Sequence, residues 1–335
     1  MRSFYPNCIP VQGAKNIAFY DLEKQKLKRF YKPDLLLSND GVVPPAFDLQ
    51  NIHENGLKLL EHHQLMMQKE DIHLLRSIQP SNFYRWKTPS FITNAVIELS
   101  QENGLLITGK FENLLTCIEK LRCKHVLLKV TTRVDPTHLK HLIDLIHHSF
   151  IHSVQLVLPF QEELYTDDFG SFIMNQPKIK CLIVESAPFK KNLEDKIFFY
   201  EHQLKSSIDK KPEQFITNLF LFSESQLHHT YFNRKLFVGA NGEIKNAPEC
   251  NETVGLIQNM EQPQQLIDLV KTSVFQKYWY VTKERCEVCK DCEFRHACID
   301  NRVPHQRENG YWYHLEECNY DPYTGSWKSE AKPPA

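Results

Sequence analysis

The sequence predicts an α/β fold with a cysteine-rich C-terminal domain. Three observations carry this. Five short apolar runs recur about every thirty residues between 91 and 222, with helix-like stretches between most of them. A hairpin-and-helix pattern precedes them within residues 1–90, and five cysteines crowd between Cys286 and Cys318. Strands alternating with helices make βα units and a parallel sheet. The expected domains are an N-terminal α+β module over 1–90, a βα series over 91–230, and a cysteine-rich domain over 231–335.

In the N-terminal module, residues 15–22 and 26–31 are strand-like, and Glu23-Lys24-Gln25 turns between them. Residues 33–45 read as a loop, with Asn39-Asp40-Gly41 a strong turn signal. Leu57, Leu59 and Leu60 put a helix over 52–63. Gln79-Pro80-Ser81 and Lys87-Thr88-Pro89 then break the chain.

The βα series has strand candidates at 91–99, 125–130, 153–158, 179–184 and 216–222. Each is short, apolar and rich in strand-forming residues, as buried parallel strands are. Helices are expected at 113–121, 135–148 and 193–204. The second is best marked, since Asp135 and Thr137 can cap it and Leu139, Leu142, Ile143 and Ile146 repeat at three and four. These units fit a partial barrel or a doubly wound sheet, and right-handed crossovers allow both. Past residue 231, strands at 235–238 and 243–245 flank Asn241-Gly242, a hairpin signature. A helix within 263–280 can start on Pro263, and the tail 328–335 is expected to fray.

Composition excludes several classes. Lys plus Arg number 40 against 41 Asp plus Glu, so no overall charge draws the chain to nucleic acid or an anionic membrane. No apolar run reaches transmembrane length, and the N-terminus lacks a signal-peptide core. The expected location is cytoplasmic. Thiols stay reduced there, so ten cysteines with five crowded together argue for metal ligation over disulfides.

Cys289, Cys292 and Cys298 are separated by two and five residues, and Cys318 comes after nineteen more. Two short loops and a distant fourth thiol can close around a tetrahedral zinc ion or a [4Fe–4S] cubane, and spacing alone leaves both open. Cys286 forms a second Cys-x2-Cys step with Cys289 and is a further candidate, as is Cys250. Cys8, Cys117, Cys123 and Cys181 sit in or beside strand- and helix-like runs and read as core. The pairs His62-His63, His147-His148 and His228-His229 read as surface or helix-end residues, since adjacent residues do not share a helix face. Glu162-Glu163, Asp167-Asp168 and Asp209-Lys210-Lys211 read as solvated faces and loops. The chain has no phosphate-binding Gly-x4-Gly-Lys loop and no Gly-x-Ser-x-Gly elbow.

Gly242 before Cys250, Cys289-x2-Cys292-x5-Cys298 and the late Cys318 together resemble the SPASM domain. That domain trails many radical S-adenosylmethionine enzymes that modify ribosomally made peptides, and a full one holds two auxiliary [4Fe–4S] clusters. Cys289, Cys292, Cys298 and Cys318 match the ligands of its second cluster. Of the first only Cys250 remains, since no cysteine lies between Cys181 and Cys250 or just after Cys298. The resemblance therefore implies one [4Fe–4S] cluster, with zinc as the alternative.

Radical S-adenosylmethionine enzymes also carry Cys-x3-Cys-x2-Cys after the first barrel strand. Here Ser100-Gln101-Glu102-Asn103-Gly104 follows that strand, and no cysteine lies between Cys8 and Cys117. The βα series thus resembles a degenerate partial (β/α) barrel without the catalytic triad, and no S-adenosylmethionine is expected. As a whole the chain resembles the SPASM-domain peptide maturases of grasp-with-spasm systems, with Cys8-Ile9-Pro10-Val11-Gln12-Gly13, Ile92-Thr93-Asn94 and the stretch from Cys292 to Arg295 fitting that likeness. The resemblance implies an accessory maturation protein that binds a ribosomal precursor peptide and acts with an ATP-grasp ligase, with residues 1–63 as a strand-adding recognition element. No catalytic residue is implied. Two other classes stay open: a peptide-modifying enzyme using the cluster or a free thiol such as Cys250 or Cys286, and a zinc-stapled interaction module.

Overall fold

The structure is a computed structural model that describes residues 3–36, 49–67, 87–204 and 215–328. The Asn39-Asp40-Gly41 turn, the Gln79-Pro80-Ser81 break, the Asp209-Lys210-Lys211 loop and the tail beyond Lys328 lie outside the described residues. Along the chain come β1 (Cys8–Gln12), β2 (Asn16–Asp21), β3 (Lys26–Tyr31), α1 (Glu54–His62), β4 (Asn94–Leu99) and α2 (Thr108–Lys120). There follow β5 (His125–Val130), α3 (Pro136–His148), β6 (Ser153–Pro159), α4 (Asp167–Met174), β7 (Ile179–Glu185), β8 (Lys191–Leu193) and β9 (Ile197–Phe199). The last third holds α5 (Leu219–Ser225), β10 (Lys235–Val238), β11 (Glu243–Lys245), β12 (Gly255–Leu256), α6 (Pro263–Val270), β13 (Pro304–Gln306), β14 (Trp312–His314), β15 (Tyr320–Asp321) and β16 (Ser326–Trp327).

These elements form two compact units that do not run in chain order. Met1–Lys87, Ile208–Tyr231 and Trp279–Ala335 make the first, and Thr88–Ser207 with Phe232–Tyr278 makes the second.

In the first unit β1, β2 and β3 form an antiparallel sheet with β2 in the centre. Successive side chains of a strand point to opposite faces, and both faces of β2 are covered. Ile17 and Phe19 pack with Leu57 and Leu60 of α1. Ala18 and Tyr20 pack with Phe222 of α5 and Ala297 of the cysteine-rich segment. This double burial explains the apolar run Ile17-Ala18-Phe19-Tyr20 in β2. Phe19→Ala would cost about 3–5 kcal/mol by opening a cavity in this layer. Helix α1 starts at His53, whose Nδ1 accepts from the Gly56 N–H at 2.9 Å. Gly56 lets α1 approach closely, since a Cβ there would lie 2.7 Å from the Leu35 carbonyl oxygen.

The second unit is built on one nine-stranded sheet in the order β12-β11-β10-β4-β5-β6-β7-β9-β8. The six strands from β10 to β9 run parallel, and β11, β12 and β8 add antiparallel edges. Among the described residues the sheet does not close on itself. Strands β4 to β7 fall where the apolar runs predict them. Helix α3 is capped as expected, with the Asp135 carboxylate accepting from the His138 N–H at 2.9 Å. Its Leu139, Leu142, Ile143 and Ile146 are buried.

Two expectations are corrected, and the helix expected within 263–280 is present as α6. The run at 216–222 is not a fifth strand but leads into α5, because the Asn218 side chain accepts from the Leu221 N–H at 2.8 Å and starts a helix. The helix expected at 193–204 is the β8–β9 hairpin. Glu194 and Asp195 turn at φ 51°, outside the helical region, and the β-forming Ile197-Phe198-Phe199 continues the parallel sheet. The helix within 263–280 stops at Val270, where the Thr272 hydroxyl takes up the Leu269 carbonyl at 2.7 Å. Among the described residues no helix is long and apolar enough to cross a membrane.

Candidate metal centre

The cysteine-rich segment is fastened into the first unit from both sides. The Glu293 carboxylate accepts from Asn16 Nδ2 at 3.0 Å and from the Tyr320 hydroxyl, and its carbonyl accepts from the Tyr20 hydroxyl at 2.8 Å. Arg295 donates to the Gln12 carbonyl at 2.8 Å, and the Ala14 N–H to the Asp291 carbonyl at 2.6 Å. On the far side the Glu287 N–H donates to the Trp312 carbonyl of β14 at 2.7 Å. Phe215, Phe294, Tyr320 and Trp327 stack into an aromatic floor, with Phe215 and Phe294 4.6 Å apart.

Between these anchors the chain turns sharply. The Cys289 N–H donates to the Glu287 carbonyl at 2.7 Å across Val288, whose φ of 64° and ψ of −50° make a strained three-residue turn. A β-branched residue at positive φ is a genuine outlier. Next, the Cys292 N–H donates to the Cys289 carbonyl at 3.1 Å, and Cys292 Sγ accepts from the Phe294 N–H at 3.4 Å.

Four thiols share this neighbourhood. Burial pushes the Cys289 thiol up, and the nearby Asp300 and Cys318 add to it. Cys292 is raised well above the ordinary thiol range by burial, then by Glu293, Cys298 and Cys289. Cys289 and Cys318 line one cavity of about 360 Å³ with Arg302 and His314. Cys289, Cys292, Cys298 and Cys318 are each part-exposed. Cys289 and Cys292 are therefore held as thiols in the metal-free protein, and a metal must displace their protons.

Cys286 and Cys250 differ from this set in being buried. Cys286 is fully buried, its Sγ donates to the Thr282 carbonyl at 3.6 Å, and burial pushes it up to about 12. Cys250 belongs to the second unit, where burial pushes it up to about 11 and the charges of Glu249 and Glu252 add to it. A buried thiol that resists ionisation is a poor nucleophile, which weighs against a catalytic use of either. Cys8, Cys117 and Cys123 are buried and Cys181 is half-buried.

The spacing of cysteines did not reveal the charges around them. Lys283 and Asp300 form a buried ion pair at 2.6 Å, and Arg302 holds the same carboxylate at 2.7 Å. Burial pulls Lys283 down, but Asp300, Cys289, Cys298 and Cys286 outweigh it and raise it. Arg302 reaches Cys289 Sγ at 4.0 Å, and the charges of Cys289 and Cys318 favour its cationic form. Two cations thus share one buried carboxylate beside the thiols. The sequence signal was present in Asp300-Asn301-Arg302, which starts two residues after Cys298, and in Lys283 three residues before Cys286.

Cys289, Asp300 and His314 also bring one ligand atom each within 4.8 Å of one another. Asp300 is already held by Lys283 and Arg302, so ligation there would strip both cations of their partner. Among the described residues no three cysteine sulfurs are as close together as that. Tetrahedral zinc with bonds of ~2.3 Å needs its sulfurs ~3.8 Å apart, whereas a four-iron cubane is wider. The four-thiol donor set suits either an iron–sulfur cluster or a zinc ion.

One arrangement imitates a catalytic relay. Ser225 Oγ lies 2.9 Å from His296 Nδ1, and His296 Nε2 is 3.9 Å from Glu284. Burial pushes His296 down to about 3, and Ser225 is buried with its hydroxyl on the Phe222 carbonyl at 2.7 Å. A base that weak beside a buried, engaged hydroxyl does not activate a nucleophile.

In the second unit, the loop after β4 is tied by neutral groups. The Ser100 N–H donates to Asn103 Oδ1 at 3.3 Å, the Asn103 N–H to Ser100 Oγ at 3.1 Å, and Asn103 Nδ2 to the Gly239 carbonyl at 3.0 Å.

No protein-family model matches this sequence, and no characterised protein matches it. Among solved structures, the crystal structure of Streptococcus suis SuiB bound to S-adenosylmethionine superposes with a TM-score of 0.38 and 11% identity. The match covers 89% of this chain and 95% of that one. At that TM-score the likeness carries no argument about this chain.

Proposed function

We propose that this protein is a cytoplasmic accessory factor for the maturation of a ribosomally made peptide. It binds the precursor and works with an ATP-grasp ligase. One [4Fe–4S] cluster held by Cys289, Cys292, Cys298 and Cys318 fastens its cysteine-rich segment. The observation that carries the reading is the thiol set itself: four part-exposed cysteines, anchored on both sides, beside the buried cations Lys283 and Arg302.

With four thiolates the cluster is closed and supplies cross-linking of the segment, coupling metal binding to folding. The chain's own residues do the rest. Lys283 and Arg302 offset thiolate charge, Asp300 keeps the two cations in place, and Glu293 ties the loop to β2. The loop after β4 carries Ser100 and Asn103 where a radical enzyme would carry thiols. This supports an accessory role over radical chemistry. β1 and β3 are both terminal strands of their sheet, and β3 carries Lys26, Lys28 and Arg29. Such an edge suits addition of an acidic peptide strand.

The test combines the protein with an ATP-grasp ligase and a short precursor peptide sought among the neighbouring genes. The account expects bond formation, read by mass spectrometry as loss of water from the precursor, to depend on this protein. Equal product from ligase and precursor alone would overturn the reading. The rival favoured by the Cys289–Asp300–His314 grouping is a zinc-stapled interaction module. It would give a colourless protein with stoichiometric zinc and no iron.

A further inference from the structure

A cavity of about 520 Å³ opens in the second unit, beside the ends of β6 and β7, under α4 and against the β8–β9 hairpin. In a regular βα series a helix would follow β7 and cover this surface. Here the hairpin takes its place and leaves the space open.

The walls are aromatic. Tyr165 packs against Phe199 at 5.4 Å and against Phe189 at 5.1 Å, and Phe160 lies edge-on to Phe189 at 5.9 Å. Lys191 donates to the Tyr165 hydroxyl at 3.1 Å and so belongs to the wall. One polar group is conspicuous. Gln161 is 5% exposed and lines the cavity; its Oε1 accepts from the Val134 N–H at 3.1 Å. Its Nε2 has no partner among the described residues. A buried donor left unmade costs about 1–3 kcal/mol, so an acceptor in the cavity would recover that cost.

Two further features restrict what enters. β8 is the last strand of the sheet, and its outer side pairs with no described strand. It also lines the cavity through Lys191, Asn192 and Leu193. The exposed carboxylates Asp167 and Glu194 sit at the mouth.

We propose that this cavity takes a tyrosine side chain from an extended peptide that adds as a strand to β8. The ring enters the aromatic wall, and the phenol oxygen accepts from Gln161 Nε2. Basic residues two positions away share the tyrosine's face of the strand, and they meet Asp167 and Glu194. The proposal rests on the reading of the protein as a peptide handler, and it names the side chain that one site selects.

The test uses the full-length, cluster-loaded protein and a fluorescein-labelled Lys-Val-Tyr-Val-Lys peptide, with fluorescence polarisation as the readout. Replacing the central tyrosine by phenylalanine should weaken binding about tenfold, the loss of one hydrogen bond at a buried donor. Replacing it by alanine should abolish binding. Gln161→Glu keeps the acceptor for Val134 and removes the donor, so it should erase the preference for tyrosine over phenylalanine. Gly170→Leu adds bulk at a cavity-lining helical position where a Cβ meets no atom within 4 Å. It should block every peptide while leaving the thermal unfolding curve in place. Tyrosine, phenylalanine and alanine peptides that bind alike, or none that binds, would overturn the proposal. If the encoded precursor still supports the ligase in that case, the proposed function stands without this cavity. If the pentapeptide binds as expected while the ligase needs no partner, only the proposed function falls.

Discussion

The Cys289 N–H and the Glu287 carbonyl meet at 2.7 Å across a single residue, Val288. This turn lies in the chain between Cys286 and Cys289. It holds a β-branched side chain at φ 64°, where only glycine is at ease.

Val288→Gly should therefore stabilise the metal-free protein, by about 1 kcal/mol, from relief of backbone strain. Urea unfolding of chelator-treated protein measures this. Val274→Gly, at another exposed valine of ordinary backbone, should instead be neutral or destabilising. Equal effects at both positions would remove strain as a feature of the turn.

Lys283→Met should cost about 3–5 kcal/mol, because it leaves the Asp300 carboxylate short of one buried partner. Both side chains of the pair are almost wholly buried, at 4% and 0% exposure. Arg133→Met, which breaks an exposed pair with Glu163, should give no measurable loss. Chemical denaturation of the two variants side by side tests the contrast.

Thiol labelling should divide the cysteines into two groups. In native, metal-free protein at pH 8, iodoacetamide should reach Cys318 first and Cys289 more slowly, since both line an open cavity but burial pushes the Cys289 thiol up. Cys8, Cys123 and Cys286 should resist, since burial pushes each up to about 12 and shields it. Loading the metal should protect the first group. Peptide mapping by mass spectrometry reads all five sites at once.

Lys235 in the second unit predicts an alkaline gain in stability. Burial pulls its ammonium down to about 8, against the charges of Glu249 and Cys250. The unfolded lysine keeps its proton to an ordinary value of 10.5. Between those limits the unfolded state binds more protons, so stability rises with pH across this window, by about 3 kcal/mol. Lys235→Met should flatten that rise. An unchanged pH profile in the variant would contradict the assignment.

Legibility of the sequence followed the range of the interactions involved. β4 to β7 and α3 were readable because apolar spacing and the Asp135 cap act within a few residues. The β8–β9 hairpin was not, since its strands are three residues long and its turn rests on Glu194 and Asp195 at positive φ. α5 was mistaken for a strand because Leu219-Phe220-Leu221-Phe222 suits either state, and the Asn218 cap decided it. At the site the cysteines were plain from spacing. The Lys283–Asp300–Arg302 charge cluster was not, because its meaning depends on burial. The Asn16–Glu293 anchor joins residues 277 apart in sequence, a distance that no local pattern reports.

The central claim is that Cys289, Cys292, Cys298 and Cys318 hold one iron–sulfur cluster. Its most direct test is the iron and sulfide content of anaerobically reconstituted protein across single Cys→Ser variants. The account predicts about four iron and four sulfide per chain in the parent. It predicts large losses in each of those four variants and full retention in Cys286→Ser and Cys250→Ser. Stoichiometric zinc in place of iron, or loss of iron in Cys286→Ser with retention in Cys318→Ser, would contradict it.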